Sequence, residues 1–367
     1  MTLAAPNLNT AAPIRVMLVD DSAVVRGLTK RWLESERDIE IVEACSDGVQ
    51  AIEKIAAASP DVVILDVEMP RMDGLTALPQ LRKLAPDARI VMASTLTGRG
   101  AKTTLTAMSL GAADYLPKPE ANGLASADVY KRELLAKVRA LGGAAQRAAN
   151  PRAFPKTPTP QPRPRPAAVP GRGLLRPSAM VVASSTGGPQ ALQAFLGPIA
   201  KQIDAPILIV QHMPPTFTTI LADKIASVTG RPCIEPKNGD PIKSGHIYLA
   251  PGDYHMKIVK GAAGPVVQLD QSPPVNFCRP AADPLFETAS SAFGSRLLGV
   301  VLTGMGSDGK DGAGQIVQAG GRIIVQDEAS SVVWGMPGAV ATAGHAEVIK
   351  PIKDLSPLAQ KIMNGDA

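Results

Sequence analysis

Short apolar runs alternate with stretches of helical periodicity along residues 14–141. The helical stretches carry an apolar residue every three or four positions, as in Val24–Leu33 and Val129–Leu141. Five β/α units of this size predict a five-stranded parallel sheet with helices on both faces. The predicted strands are Ile14–Val19, Ile39–Glu43, Val62–Leu65, Ile90–Ala93 and Ala113–Leu116.

The second half of the chain repeats this pattern and adds a different one. Its apolar runs predict four more buried strands: Ala179–Ala183, Ile207–Val210, Leu297–Leu302 and Arg322–Val325. Between the second and third of them, residues 234–269 are rich in strand-forming residues and are broken by turns at Asn238-Gly239 and Gly264-Pro265. We expect a doubly wound α/β domain with antiparallel strands at one edge.

Nine prolines fall within residues 151–177. Proline removes a backbone donor and fixes φ, so this stretch cannot join a sheet or a helix and is typical of a semi-rigid linker. The sequence therefore predicts two domains, residues 13–141 and 178–364, joined by a basic linker over residues 142–177. A role of the linker as a proline-rich ligand for a partner groove stays open.

The basic charge is confined to the linker and its flanks. The formal net charge is +5, but residues 134–203 hold ten basic residues and no acidic one. Outside that window, 28 basic and 33 acidic residues give a net charge of −5. We therefore expect no nucleic-acid partner.

Three further features point to a cytoplasmic protein. No apolar run reaches the length of about 18 residues that a membrane span needs, so we expect no insertion into a membrane. Residues 1–13 lack the basic and apolar parts of a secretory signal. The cysteines, Cys45, Cys233 and Cys278, are too few and too scattered for a disulfide framework or a zinc site.

Polar residues follow the strands of the first predicted sheet where each strand ends. Functional residues collect at that edge of a parallel sheet, and converging carboxylates call for a divalent, oxygen-preferring cation such as Mg²⁺. Asp66 could then act as a nucleophile towards a phosphoryl donor, with Ser94 holding a phosphoryl oxygen and Lys118 offsetting charge. Any one of these aspartates taken alone is more often a helix N-cap. The residues are Asp20, Asp21, Asp66, Ser94 and Lys118.

These strand ends resemble response-regulator receiver domains over residues 14 to about 140. The resemblance is carried by Val19-Asp-Asp-Ser22, Leu65-Asp-Val-Glu-Met-Pro-Arg-Met-Asp-Gly74 and Leu116-Pro-Lys-Pro119. It implies a flavodoxin-like fold in which a histidine kinase phosphorylates Asp66. It also implies that Asp21, Asp66 and the backbone carbonyl of Glu68 bind Mg²⁺ beside Asp20, and that Tyr115 is a switch aromatic.

Three strand ends of the second half carry a serine, a histidine and an acid. Ser185 follows the first strand and opens a helix, which exposes a hydroxyl beside backbone N–H groups. His212 could take its proton, and Asp308 could hold the imidazole. Each has a plainer interpretation: Ser185 as an N-cap, His212 as a strand-end histidine, and Asp308 as a cap for the helix starting near Gly309.

A second hypothesis comes from the glycine spacing of the same loop. Gly304–Gly309 is a G-x-G-x-x-G sequence between a predicted strand and a helix, and Asp327 ends the next strand. This pattern is typical of nicotinamide-dinucleotide binding. Asp308 would place negative charge where the pyrophosphate must approach.

The second half resembles the catalytic domain of chemotaxis protein-glutamate methylesterases, the CheB family, whose members join a receiver, a linker and this domain in that order. The motifs are Ser185-Thr-Gly-Gly188, Gln211-His-Met-Pro-Pro215, Ala250-Pro-Gly-Asp253, Leu302-Thr-Gly-Met-Gly-Ser-Asp-Gly309 and Gly335-Met-Pro337. The resemblance implies a cofactor-free serine hydrolase that demethylates glutamate methyl esters and deamidates glutamines on methyl-accepting chemotaxis receptors, giving sensory adaptation.

The same resemblance assigns roles to individual residues. Ser185 is implied to be the nucleophile, His212 the general base and Asp308 its orienting partner, with the backbone N–H groups of Thr186 and Met305 as the oxyanion hole. A chemotaxis histidine kinase would be the phosphodonor, and we expect a monomer.

The chain departs from the family pattern at two places. Ala183-Ser184 replaces the usual Gly-Ala before the nucleophile, so Ser184 is a rival nucleophile. Cys278-Arg-Pro280 replaces a usual His-Arg-Pro, which leaves the role of Cys278 open.

Overall fold

The computed structural model describes residues 12–95, 97–118, 124–149 and 176–366. Its contacts divide the chain into two compact units: residues 1–94 with 115–154, and residues 95–114 with 155–367. Most of the proline-rich segment, residues 150–175, lies outside the described residues.

Strands and helices alternate through residues 14–149, as the hydrophobic pattern predicts. The strands form one sheet in the order β2-β1-β3-β4-β5, and the pairings of β1 with β2 and β3, and of β3 with β4, are parallel. This order, with the crossover at β1, is the flavodoxin-like one, which confirms the predicted fold class. The elements are β1 Ile14–Val19, α1 Ala23–Glu34, β2 Ile39–Cys45, α2 Gly48–Ala58, β3 Val62–Asp66, α3 Gly74–Leu84, β4 Arg89–Ser94, α4 Gly98–Ser109, β5 Asp114–Pro117 and α5 Leu124–Ala149.

Helix α5 extends beyond its predicted length at both ends. Residues 142–149, at the start of the predicted linker, are helical. The helix lies against β1, and a Cβ atom on Gly142 would come within 2.3 Å of the Ile14 side chain. Glycine at this position therefore lets the helix approach the strand closely.

The second α/β part is built on a seven-stranded sheet in the order β14-β13-β12-β6-β7-β9-β8, and every pairing described in it is parallel. Helices cover both faces. The elements are β6 Ala179–Ser184, α6 Gly188–Leu196, β7 Ile207–Gln211, α7 Pro215–Thr229, β8 Cys233–Ile234, β9 Ile247–Leu249, β10 His255–Gly261, β11 Gly264–Asp270, α8 Ala282–Phe293, β12 Leu297–Val301, α9 Lys310–Gln318, β13 Arg322–Gln326, α10 Met336–Thr342, β14 Val348–Lys350 and α11 Ile352–Asn364.

The antiparallel strands form a sheet of their own. Strands β10 and β11 pair from His255↔Asp270 to Gly261↔Gly264, as a separate two-stranded sheet rather than as the edge of the large one. The hairpin buries Met256, Ile258 and Val267 in the same hydrophobic core as α8, so its apolar face is already covered. This detail differs from the expected edge position, while the predicted class, a mostly parallel sheet with a short antiparallel part, is confirmed.

The central strands β6, β7 and β12 are buried along their whole length. Continuous apolar strands of this kind occur where helices cover both faces of a parallel sheet. Their polar residues therefore come where the strands end. Among the helices that the structure describes, none is both long and apolar enough to cross a membrane.

Two helical glycines offer a test of the first unit's packing. Gly27 in α1 has open space around its Cβ position, so Gly27→Ala should raise the free energy of unfolding by about 0.5–1 kcal/mol. Gly142→Ala adds the same methyl group against Ile14 and should lower it by about 1–3 kcal/mol. Urea unfolding followed by Trp32 fluorescence in a Trp334→Phe background measures both. Effects of the same sign would contradict this account of α5.

Candidate active site and phosphorylation site

The register of the first sheet brings three predicted side chains together. Val19 pairs with Leu65, and Asp66 pairs with Ala93, so the residues that end β1, β3 and β4 lie side by side. Asp20, Asp66 and Ser94 are all buried there. One ligand oxygen from each of Asp20, Asp21 and Asp66 lies within 4.8 Å of the others.

Lys118 closes this acidic pocket from the end of β5. Its ammonium group lies 2.8 Å from a carboxylate oxygen of Asp20 and 2.7 Å from one of Asp66. Its backbone N–H donates to the Ser94 carbonyl at 2.7 Å, which fixes the loop beside β4. The structure therefore brings Asp20, Asp21 and Lys118 around Asp66, and Ser94 ends the adjacent strand.

Burial raises the pKa of Asp66 to about 6, with Asp20 adding to the rise and Lys118 opposing it. A buried carboxylate held near others gains from a cation, and three hard oxygen donors at this spacing suit Mg²⁺. The residues present thus fit the predicted metal. Glu68 follows two residues later, and its N–H donates to Asp66 at 3.4 Å.

The predicted helix-cap alternatives fail for these aspartates. Ser22 caps α1 by accepting from Val25, and Asp73 caps α3 by accepting from Thr76. Tyr115, the predicted switch aromatic, is buried on β5 with the Lys137 ammonium 4.8 Å from its ring centre.

The turn between β6 and α6, residues 185–187, is called the nucleophile turn, and the register of β6 and β7 sets its position. Ser184 pairs with Gln211, so Ser185 and His212 are the next residues on neighbouring strands. The Ser184 hydroxyl is fully buried and donates to the Gln211 side chain at 2.7 Å. Ser185 is partly exposed. These environments favour Ser185 over its rival Ser184.

Ser185 does not cap helix α6. The N-cap is Gly187, in a left-handed conformation with φ of +74°, and no side chain caps the helix. A Cβ atom on Gly188 would come within 1.9 Å of the Gln211 side chain. The glycines thus serve a tight turn, and the Ser185 hydroxyl makes no hydrogen bond to any other residue that the structure describes.

His212 has a partner on each ring nitrogen. Nε2 lies 2.7 Å from an Asp308 carboxylate oxygen, and Nδ1 lies 3.3 Å from the Cys278 sulfur. Burial disfavours the charged imidazole, but the sulfur and the carboxylate outweigh it, and they raise the pKa of His212 to about 10.

Asp308 is a buried carboxylate with four donors around it. Besides His212, the N–H groups of Ala282 and Asp283 donate at 2.5 and 3.2 Å, and the Asn276 side chain donates at 3.1 Å. Burial tends to raise its pKa, but these hydrogen bonds, led by that of His212, lower it to about 2. Asp308 therefore binds at the start of α8 and does not cap α9, whose N-cap is Gly309.

The loop after β12 reaches the nucleophile through a close backbone contact. A Cβ atom on Gly304 would lie 2.9 Å from the Ser185 Cβ, and the Ser185 N–H donates to the Thr303 carbonyl at 3.0 Å. In the described part of the chain, the backbone N–H groups of Thr186 and Met305 donate no hydrogen bond. Two such donors, one from the residue after Ser185 and one from the residue after Gly304, suit a developing oxyanion.

One expected contact is not formed. Within the described residues, no hydrogen bond joins the Ser185 hydroxyl to His212. The nitrogen that Ser185 would use, Nδ1, is instead engaged by Cys278. Sequence reasoning also missed Asn276, and the only signal available was its closeness to Cys278 along the chain.

The dinucleotide hypothesis is not favoured by the structure. The Asp327 carboxylate, expected to bind a ribose, accepts from the N–H and hydroxyl of Ser330 at 3.0 and 2.6 Å. The loop at Gly304–Gly309 holds the ionised Asp308. A pyrophosphate would meet this charge at the place where it needs donors.

Residues 95–114 pack within the second compact unit, next to the nucleophile turn. Helix α4 lies against α6 and α7. The Gln190 side chain donates to the carbonyls of Met108 and Ala112 at 2.8 and 2.7 Å. The Thr186 hydroxyl donates to Asp114 at 2.7 Å. The residue after Ser185 is therefore tied to Asp114, the last residue of this segment of the second compact unit.

Comparison with known proteins assigns both halves of the chain. The CheB methylesterase family model matches residues 180–358, and the response regulator receiver domain model matches residues 16–127. The protein-glutamate methylesterase/protein-glutamine glutaminase 2 of Caulobacter vibrioides is 54% identical over 345 residues, covering 94% of this chain and 97% of that protein.

Two further similarities cover the chain to different extents. The protein-glutamate methylesterase/protein-glutamine glutaminase of Rhodopseudomonas palustris BisB5 is 48% identical over 366 residues, covering 96% of this chain and 95% of that protein. The crystal structure of the Thermotoga maritima CheB methylesterase catalytic domain is 35% identical and covers 52% of this chain and 99% of that chain, with a TM-score of 0.49.

The contact between His212 and Asp308 can be tested through the histidine itself. Asp308→Asn removes the negative charge that stabilises the imidazolium, so the pKa of His212 should fall by about 1 to 3. Histidine-selective ¹⁵N NMR titration measures it, with the half-buried ring of His246, outside the pair, as an internal control. An unchanged His212 titration would contradict the described pairing.

Proposed function

Since the chain belongs to the CheB methylesterase family and is thus a protein-glutamate methylesterase/protein-glutamine glutaminase with a receiver domain, we propose that it acts on chemotaxis receptors under the control of phosphorylation at Asp66. The observation that carries the proposal is the His212–Asp308 pair, which lies beside the Ser185 turn at the ends of neighbouring strands. A serine hydroxyl, an imidazole and a buried carboxylate are the groups that acyl transfer requires.

Ester hydrolysis would begin at the serine hydroxyl. Ser185 Oγ attacks the γ-carbonyl of a glutamate methyl ester, and His212 takes its proton. Since Asp308 holds Nε2, the proton is received at Nδ1, which must first be unprotonated and released by Cys278. The Asp308 carboxylate stabilises the imidazolium that forms. The N–H groups of Thr186 and Met305 bind the negative oxygen of the tetrahedral intermediate.

The intermediate then collapses with loss of the alcohol. His212 returns the proton to the leaving oxygen, and methanol departs from an acyl-Ser185 ester. Water attacks this ester with His212 again as base, which releases glutamate and restores the serine. A glutamine side chain presents the same acyl geometry, with ammonia as the leaving group.

The receiver would supply the control. A histidine kinase donates a phosphoryl group to the Asp66 carboxylate, whose oxygens lie beside Asp20 and Asp21. These three carboxylates would hold Mg²⁺, which screens negative charge around the phosphoryl group when it is bound. The Lys118 ammonium, 2.7 Å from an Asp66 oxygen, would contact the phosphoryl oxygens, and Ser94 ends the adjacent strand. We place this exchange in the cytoplasm.

Residues 95–114 are the segment through which we propose that phosphorylation reaches the hydrolase. They follow Ser94 directly, and their last residue accepts a hydrogen bond from Thr186, a proposed member of the oxyanion hole. The Lys224 ammonium of α7 donates to the Leu105 carbonyl at 3.1 Å. Phosphorylation of Asp66 would shift the population of this segment and open the nucleophile turn to the receptor.

Two neighbouring serines test the nucleophile. Ser185→Ala should reduce methanol release from methylated receptor membranes by about a thousandfold or more, because no hydroxyl remains to form the acyl-enzyme. Ser184→Ala removes a hydroxyl committed to Gln211 and should retain measurable turnover. Asp66 phosphorylation should be unaffected in both. Methanol release that survives Ser185→Ala but is lost in Ser184→Ala would reverse the assignment.

The control can be tested at the phosphorylated carboxylate. Asp66→Asn should abolish stimulation of methanol release by acetyl phosphate with Mg²⁺, while the basal rate persists. Asp87→Asn changes an exposed aspartate outside the pocket and serves as the matched control. Removing Mg²⁺ with a chelator should also abolish the stimulation. Equal stimulation in both variants would rule out Asp66 as the control point.

A further inference from the structure

The three cysteines of the chain lie in contrasting environments. Cys45 and Cys233 are buried, and burial raises their pKa to about 11 and about 12. Such thiols are protonated at neutral pH and react slowly. Cys278 is partly exposed and lies beside His212 instead.

A tight turn places the Cys278 sulfur. Val275 and Cys278 exchange both backbone hydrogen bonds, at 3.1 and 2.9 Å, across a two-residue turn. The turn residues Asn276 and Phe277 have φ of +51° and +63°, as in a type I′ hairpin turn. The Asn276 side chain donates to Asp283 at 2.9 Å and to Asp308 at 3.1 Å. The turn is thus anchored to the carboxylate that holds His212.

Cys278, His212 and Asp308 form a continuous chain of polar contacts. Sulfur lies 3.3 Å from Nδ1, and Nε2 lies 2.7 Å from the carboxylate. The sulfur and the imidazole share one proton, in a thiol–imidazole form or a thiolate–imidazolium form. Asp308 favours the second, because its charge stabilises the imidazolium from the opposite side. Ser185 can pass its proton to His212 only in the first form, in which Nδ1 carries none, so the two forms exchange during turnover.

The other charges nearby are already committed. The Arg279 guanidinium is bonded to Asp253 at 2.6 Å, and Asp283 accepts from the Gly312 N–H at 2.8 Å as well as from Asn276. Among the described residues, the His212 ring is therefore the basic group in direct contact with the Cys278 sulfur.

We propose that Cys278 is a reactive thiolate paired with His212, and that its oxidation by a peroxide reversibly inactivates the hydrolase. The inactivation half of this proposal rests on the proposed role of His212 as general base. The thiolate half rests only on the Cys278–His212–Asp308 geometry.

The oxidation step balances without a cofactor. The thiolate sulfur attacks one peroxide oxygen, a sulfur–oxygen bond forms and the oxygen–oxygen bond breaks. The departing hydroxide takes the His212 proton and leaves as water. Sulfur is oxidised by two electrons to a sulfenic acid, and the peroxide is reduced. The new hydroxyl lies at Nδ1, the nitrogen that must receive the Ser185 proton, so ester hydrolysis stops. A small thiol reduces the sulfenic acid through a mixed disulfide and restores the site.

Reactivity is measured first, on the full-length reduced protein. Iodoacetamide at pH 7 with peptide mass spectrometry gives the alkylation rate of all three cysteines in one experiment. We expect Cys278 to react about tenfold faster than glutathione, because ionisation of a free thiol is only a few per cent at this pH. Cys45 and Cys233 should react more slowly than glutathione. Cys278 reacting no faster than glutathione would overturn the thiolate.

Two variants separate the causes. His212→Gln should slow alkylation of Cys278 about tenfold. The melting temperature of this variant, compared with that of the unmodified chain, shows whether it is folded. Ser185→Ala should leave the alkylation rate unchanged while abolishing methanol release. Fast alkylation in both variants would show that His212 does not ionise the thiol. Fast alkylation of Cys278 together with full methanol release in Ser185→Ala would refute the proposed function and leave the thiolate standing.

Inactivation is measured last. Hydrogen peroxide should lower methanol release about tenfold or more, in step with dimedone labelling at Cys278, and dithiothreitol should restore it. For Cys278→Ser, the ratio of treated to untreated rates should stay near one, whatever its basal rate. Equal fractional losses in the two proteins, or undiminished methanol release after Cys278 is fully labelled, would overturn the switch.

Discussion

The buried carboxylate of Asp308 is the group on which the catalytic half depends. It is 1% exposed, yet it stays ionised because the Ala282 and Asp283 N–H groups, Asn276 and His212 all donate to it. An anion at the start of a helix is favoured by the free N–H groups there. Because the donors come from α8 and from the turn before it, one charge holds the histidine, the helix and the cysteine turn in a common arrangement.

Both sites of the chain arise from the same property of parallel sheets. Buried strands contribute apolar side chains, and the polar residues come at the strand ends, where the register aligns them: Asp66 beside Ala93 in one sheet, and Ser184 beside Gln211 in the other. Small residues then let the loops meet. Gly74 has the Asp66 carbonyl 2.1 Å from its Cβ position, and Gly304 has the Ser185 Cβ 2.9 Å away. Side chains at either glycine would push the reacting groups apart.

The sequence predicts the residues of these sites better than their contacts. Strand-end polar residues such as Asp66 and His212 are recognisable because their position follows from hydrophobic periodicity. The partners of His212 are not recognisable in the sequence, since both Cys278 and Asp308 reach it from distant parts of the chain. Local reasoning also assigns Asp308 to the helix that follows it, whereas its two backbone donors belong to α8, more than twenty residues earlier. The separate β10–β11 sheet escaped prediction for the same reason, because its place depends on packing against α8.

Helix α8 has no side-chain cap of its own, since its N-cap is Ala281. Its first N–H groups are satisfied by Asp308 instead, so the helix end and the carboxylate stabilise each other. Fraying of this single turn would release Asp308, and with it the orientation of His212, while the seven-stranded sheet is still intact. Loss of activity on mild denaturation should thus precede loss of the fold. The activity then measures the local stability of one helix terminus.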